Sequence, residues 1–162
     1  MRQGELDKQL LNATEIGDLG KVKELVISGA DINCKDDMGW YVLANVCWFR
    51  HKEILRFLLD SGCEVNSKGH NGDTAILLAG YAGDKDIVKM LLERGSDISI
   101  TNDFGDNGLS YHKKIWSDYD VQELIINKQP HNIKLLSDSI GILPELMEKY
   151  KDIMELAEMG LF

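Results

Sequence analysis

The stretch Gly72-Asp73-Thr74-Ala75-Ile76-Leu77-Leu78-Ala79-Gly80-Tyr81-Ala82-Gly83-Asp84, then Ile87-Val88-Lys89-Met90-Leu91-Leu92 and Gly95-Ser96-Asp97-Ile98-Ser99, decides the fold. Residues 75–82 are small and apolar, as a helix packed tightly on a neighbour would be. Between Asp86 and Arg94 the apolar residues fall at 87, 88, 91 and 92, one face of a second helix. Gly95 stands where a helix C-terminus wants a residue able to take positive φ. The stretch therefore predicts one helical hairpin followed by a turn.

Its echoes recur every 33 residues: Gly29, Gly62 and Gly95; Gly39, Gly72 and Gly105; Val22, Leu55, Val88 and Val121; Leu25, Leu58, Leu91 and Leu124. After each helix-ending glycine come Ala30-Asp31-Ile32-Asn33, Cys63-Glu64-Val65-Asn66 and Ser96-Asp97-Ile98-Ser99. Agreement of independent registers on one period marks a repeat architecture. Two helices and a turn in 33 residues resemble the ankyrin repeat, over about residues 6–128. The resemblance implies an all-α solenoid of stacked helix-turn-helix units with turn fingers.

On this reading the repeats run over about 5–35, 36–68, 69–101 and 102–128, and 129–162 form a helical C-terminal cap. The first repeat carries Asp7, Lys8, Gln9, Asn12 and Glu15 on a polar outer face, as an end cap requires. The fourth is the most degraded, with Asn107-Gly108-Leu109-Ser110 and with Lys128 in place of the terminal glycine. No repeat carries the histidine of the family's Thr-Pro-Leu-His motif, so other bonds must tie neighbouring units together, and modest stability is expected. Beyond Pro130 a helix over 132–140 and a longer one opened by Pro144 are expected. Covering the last repeat is the preferred role for these helices, ahead of binding a partner.

The formal charge is −9, from 27 acidic and 18 basic residues, which disfavours binding to a nucleic-acid backbone. No apolar run is long enough to span a membrane, and Met1 to Glu5 lack the apolar core of a secretory signal. Cys47 and Cys63 fall at small-residue positions of the repeat and read as inert reduced thiols, consistent with a cytoplasmic chain. Neither a zinc nor a calcium spacing is present, and no cofactor is expected. His51, His70, His112 and His131 have no neighbours in sequence that suggest acid–base work. No nucleophile elbow, phosphate loop or zinc-protease motif occurs, so the chain is read as non-enzymatic.

The family resemblance implies that a partner meets the turn tips and the solvent face of each first helix. Carried over, those positions are Asp37, Met38, Trp40, Trp48 and Phe49; His70, Asn71, Asp73 and Tyr81; and Asp103, Phe104 and Asp106. Lys114 and Ile115 in the fourth repeat, and Glu15 and Ile16 in the first, occupy the same helix positions. The second repeat places two tryptophans, a phenylalanine and a methionine where solubility alone would suffice. Either these rings form an exposed binding patch or Trp48 and Phe49 fold inward. Exposure is preferred, because Trp40 on a turn has no evident core to enter. An aromatic centre with an acidic rim suits a protein partner that is basic or carries an apolar anchor. The chain is read as a monomer whose patch is also open to self-association. A dedicated inhibitor or immunity-type protein, and an exported adaptor, are the alternative roles.

Overall fold

The computed structural model describes all residues from Met1 to Phe162, and its regular secondary structure is helical apart from one isolated bridge between Lys35 and Tyr41. The first two hairpins pair α1 (Gln3–Ile16) with α2 (Leu19–Ile27) and α3 (Val42–Trp48) with α4 (Lys52–Asp60). The third pairs α5 (Ala75–Ala82) with α6 (Lys85–Glu93), and the fourth α7 (Lys113–Trp116) with α8 (Tyr119–Lys128). First helices stack on first helices and second helices on second, giving an inner layer (α1, α3, α5) and an outer layer (α2, α4, α6, α8). No helix is long and apolar enough to cross a membrane.

The 33-residue registers become physical columns. Val22, Leu55, Val88 and Val121 are fully buried in the outer layer. Leu10, Leu43, Ile76 and Leu109 form the matching buried column inside. Both glycine registers adopt left-handed backbone, with φ of +97°, +81° and +85° at Gly29, Gly62 and Gly95 and +91°, +74° and +84° at Gly39, Gly72 and Gly105. A side chain at these positions would strain the turn that reverses the chain.

Asparagine does the tying that the missing histidines leave undone. Asn33 Oδ1 accepts from Glu64 N, and Asn66 Oδ1 from Asp97 N, both at 2.8 Å and both from one repeat to the next. Asn66 also donates to Gly95 O, and at the next step, where Ser99 stands, Gln129 Oε1 takes over by accepting from Ile98 N. The fingers are linked by backbone bonds from His70 N to Gly39 O and from Asp103 N to Asn71 O. His51 adds a ring bond to Glu15 O at 2.9 Å.

The fourth repeat departs from the pattern for an identifiable reason. His112 falls in the column of the buried Ala13, Val46 and Ala79, a slot too small and apolar for it. It turns outward with φ +52°, and α7 retains only four residues. Trp116 fills the space, fully buried against Gly80, with its indole N–H donating to Tyr111 O at 2.9 Å. Ile115, expected at the solvent face, is buried for the same reason.

Beyond Gln129 the chain forms α9 (Ile133–Ser139), α10 (Pro144–Lys149) and α11 (Lys151–Glu158). The segment that Pro144 opens is thus two helices, broken at Tyr150 (φ −114°, ψ 33°), whose hydroxyl donates to Glu123 Oε1 at 2.8 Å. That bond holds the bend against α8, and the turn brings α11 onto α9. Leu136 belongs to the main core, while Ile126, Ile133, Leu146 and Met154 form a smaller cluster beneath these helices. The repeat core thus continues without a gap into the helices that cover it.

Two stability predictions follow from the ties. Replacing Asn66 with alanine removes two inter-repeat bonds and should cost about 1 kcal/mol in urea unfolding, with the fold retained. Asp97 Oδ1 accepts from Ser99 N, Ser99 Oγ and Asn132 Nδ2 at 2.7–2.9 Å. Burial works against its charge, but these bonds win and hold the carboxyl below its ordinary 3.8. Its contribution is complete above that ordinary value and is lost as pH falls through the lower folded value. Asp97→Asn should therefore be less stable at neutral pH and should lose less stability on acidification from pH ~4 to ~2 than the parent chain.

Candidate functional site

The inner helices and the fingers enclose a groove of about 510 Å³ that crosses the second, third and fourth repeats. One side is built from the solvent face of the inner helices. Glu15, Trp48 and Tyr81 follow one another there at the repeat spacing, and the Trp48 and Tyr81 rings are stacked with centroids 5.6 Å apart. The other side is built from the fingers, with Met38 and Phe104 at corresponding tips and Trp40, Asp73 and Asp106 in the row beneath. Trp48 is 46 % exposed and Phe49 44 %, so these two rings do not fold inward.

Local turn chemistry sets the finger geometry. Asp36 Oδ1 accepts from Met38 N and Trp40 N at 2.9 Å, an Asx turn that lifts both side chains toward the groove. One period later glycine replaces it, and two periods later Asn102 Oδ1 repeats the turn by accepting from Phe104 N and Asp106 N. Asn102 also donates to Asp73 Oδ1 at 2.8 Å. Tyr111 donates to Asp106 Oδ2 at 3.0 Å and meets Tyr81 edge-on at 4.9 Å. That bond to a carboxylate, with smaller help from burial, pushes the Tyr111 phenol up and keeps it protonated.

The groove brings together Met38, Trp40, Trp48, Phe49, Asp73, Tyr81, Phe104 and Asp106 from the sequence expectation. Asp37, His70, Asn71 and Asp103 lie outside its lining. Asp37 borders an adjoining hollow with Lys8 and Lys35, which shares Glu15, Asp36 and Asn45 with the groove. His70 packs at a tilt against Trp40, with centroids 5.2 Å apart, and bonds Met38 O through Nδ1, so it supports the finger. Asn71 (φ +55°) and Asp103 form the link between fingers. Asp36, expected in the acidic rim, lines the groove, and Asn45, Asn102 and Tyr111 do so unforeseen, as do Ala44, Leu77 and Leu78. Tyr111 shares the register of Asn45 and Leu78, a signal hidden because α7 is displaced where the repeat pattern placed a helix.

Ionic pairing is confined to other surfaces. Lys52 pairs with Asp84 and Asp86, Lys85 with Asp118, Lys89 with Asp120 and Arg94 with Asp60, all between neighbouring repeats of the outer layer. The groove lining includes Glu15, Asp36, Asp73 and Asp106 and no lysine or arginine, and none of these acids forms a salt bridge. The thiols take no part: burial pushes Cys34 up to about 12 and Cys63 to about 11, and raises Cys47 further. Thiolate nucleophiles are disfavoured at all three.

A family model described as ankyrin repeats in three copies matches residues 10–102. The chain belongs to the ankyrin repeat family. The match ends before the hairpin of α7 and α8, which departs from the geometry of the preceding units. Comparison with curated proteins yields no match for this chain. Ankyrin repeats are generally protein–protein interaction modules and typically not enzymes. Here the unit-to-unit stacking supplies the groove, and the side chains on it supply whatever selectivity the groove has.

The wall that carries Tyr111 depends on Gly80. A Cβ there would sit 3.0 Å from Gly108 O and 3.3 Å from the Trp116 ring. Alanine normally favours a helix interior by about 1 kcal/mol over glycine. At this site Gly80→Ala should instead destabilise by about 1–3 kcal/mol, because backbone and a buried indole must give way. Thermal unfolding and the near-ultraviolet dichroism of Trp116 provide the measurement.

Proposed function

We propose that this ankyrin repeat protein is a non-enzymatic binding module that captures a protein partner in its concave aromatic and acidic groove. One observation carries the reading: Met38, Trp48, Phe49, Tyr81 and Phe104 are exposed together along one hollow, beside carboxylates that form no salt bridge within the chain. Apolar area of this kind is costly to leave in water, and tryptophan and tyrosine are the residues that most often dominate binding energy. The carboxylates repel phosphate backbones and attract basic surfaces, so a basic protein carrying an apolar anchor is the complementary partner. A dedicated inhibitor is a special case of the same binding, distinguished by loss of the partner's activity on capture.

The experiment compares tagged parent chain with Trp40→Ala/Trp48→Ala for capture of proteins from the native cell, with far-ultraviolet dichroism to check folding. Loss of the two indoles should weaken capture at least about tenfold, the size typical of buried aromatic anchors. Equal capture by a folded variant would remove the groove from consideration.

A further inference from the structure

The groove carboxylates are held in an arrangement that selects among cations. Asp36 commits Oδ1 to two backbone amides, Asp73 commits Oδ1 to Asn102, and Asp106 commits Oδ2 to Tyr111. In each case the second oxygen makes no bond within the chain and belongs to a side chain that lines the hollow. Asp73 and Asp106 occupy the same position of successive fingers, and the stacked pair of Trp48 and Tyr81 lines the same hollow. Oriented acceptors therefore share one hollow with exposed aromatic rings, and no lysine or arginine lines it.

Resting on the groove reading above, we infer that the partner presents an extended segment with an arginine next to an apolar residue. Its guanidinium packs against the exposed parts of the Trp48 and Tyr81 rings and donates to the open oxygens of Asp73 and Asp106. A guanidinium is planar and weakly hydrated, so it can stack on a ring while its edge donates to carboxylates. Lysine offers one strongly hydrated point charge and no flat face. A trimethylated ammonium would satisfy the rings but has no N–H for oxygens already oriented to accept. The neighbouring apolar residue meets Met38 and Phe104. The segment is a polypeptide because the indole N–H groups of Trp40 and Trp48 have no acceptor within the chain, whereas that of Trp116 does. They suit the carbonyls of an extended backbone.

The probe is a set of short peptide pools with a fixed centre flanked by randomised positions rich in Leu, Ile, Val and Phe. The centre is arginine, lysine, trimethyl-lysine, citrulline or norleucine. Each pool is titrated into the full chain and followed by tryptophan fluorescence, with N-acetyl-arginine amide as the small-molecule comparison. The arginine pool should bind about tenfold or more tightly than the others, as expected for charge-assisted forked bonds combined with stacking. Asp73→Asn/Asp106→Asn keeps acceptors for Asn102 and Tyr111 and should erase that preference without unfolding the chain. Equal binding of the lysine, trimethyl-lysine or citrulline pool, or an unchanged preference in the double variant, overturns the inference. Binding of N-acetyl-arginine amide as tight as the pool overturns its polypeptide part. If Trp40→Ala/Trp48→Ala abolishes capture of cellular partners while the pools show no arginine preference, the groove reading stands and only this inference fails.

Discussion

Burial of one hairpin's apolar face by the next is the interaction on which everything else in this protein depends. A single ankyrin hairpin has too little interior to stay folded, and each column of Val, Leu and Ile becomes dry only when the neighbouring unit covers it. Stacking at a constant step requires each chain reversal to have the same geometry. Glycines in left-handed backbone provide this, three at the ends of second helices and three at the fingers. The groove is a by-product of that repetition, since short inner helices and projecting fingers leave a hollow wherever units are laid side by side.

Charge is distributed so that the hollow and the outer layer have different characters. Lysines and Arg94 on the outer helices pair with acids one repeat away, and these exposed pairs contribute little individually. Their larger consequence is positional. Cations engaged on the outer layer form no salt bridge with Glu15, Asp36, Asp73 and Asp106, so four carboxylates line the hollow where the rings are exposed. The bonds that Asp36 and Asp106 accept from their own repeat then restrict how those carboxylates can turn.

Much of the site was legible because the repeat converts position into orientation. Knowing that Trp48 and Tyr81 occupy one register is enough to place them on one face, and both line the groove. Transfer by register failed where local contacts overrode it. His70 and Asn71 share the finger with groove residues, yet one packs at a tilt against Trp40 and the other serves the link to the next finger. Asp36 and Asn102 have the appearance of solvated turn residues in sequence. Only their two-amide Asx turns and their place under the finger tips bring them to the lining.

The sequence by itself determined the hairpin, its period, its helix-ending glycines and the face on which the aromatic residues stand. Those properties depend on short-range backbone preference and on a 33-residue register, both of which can be read along a chain. The tertiary structure alone decided how the fourth unit and the last helices depart from it. A histidine in a slot sized for alanine sends the backbone outward, and Trp116 and Tyr111 move into the space that opens beside Gly80. Tyr150 bends the final segment because its hydroxyl reaches Glu123 on a neighbouring helix. Each of these is a competition for volume or for a hydrogen-bond partner between residues far apart in sequence, so its outcome exists only once the units are packed together.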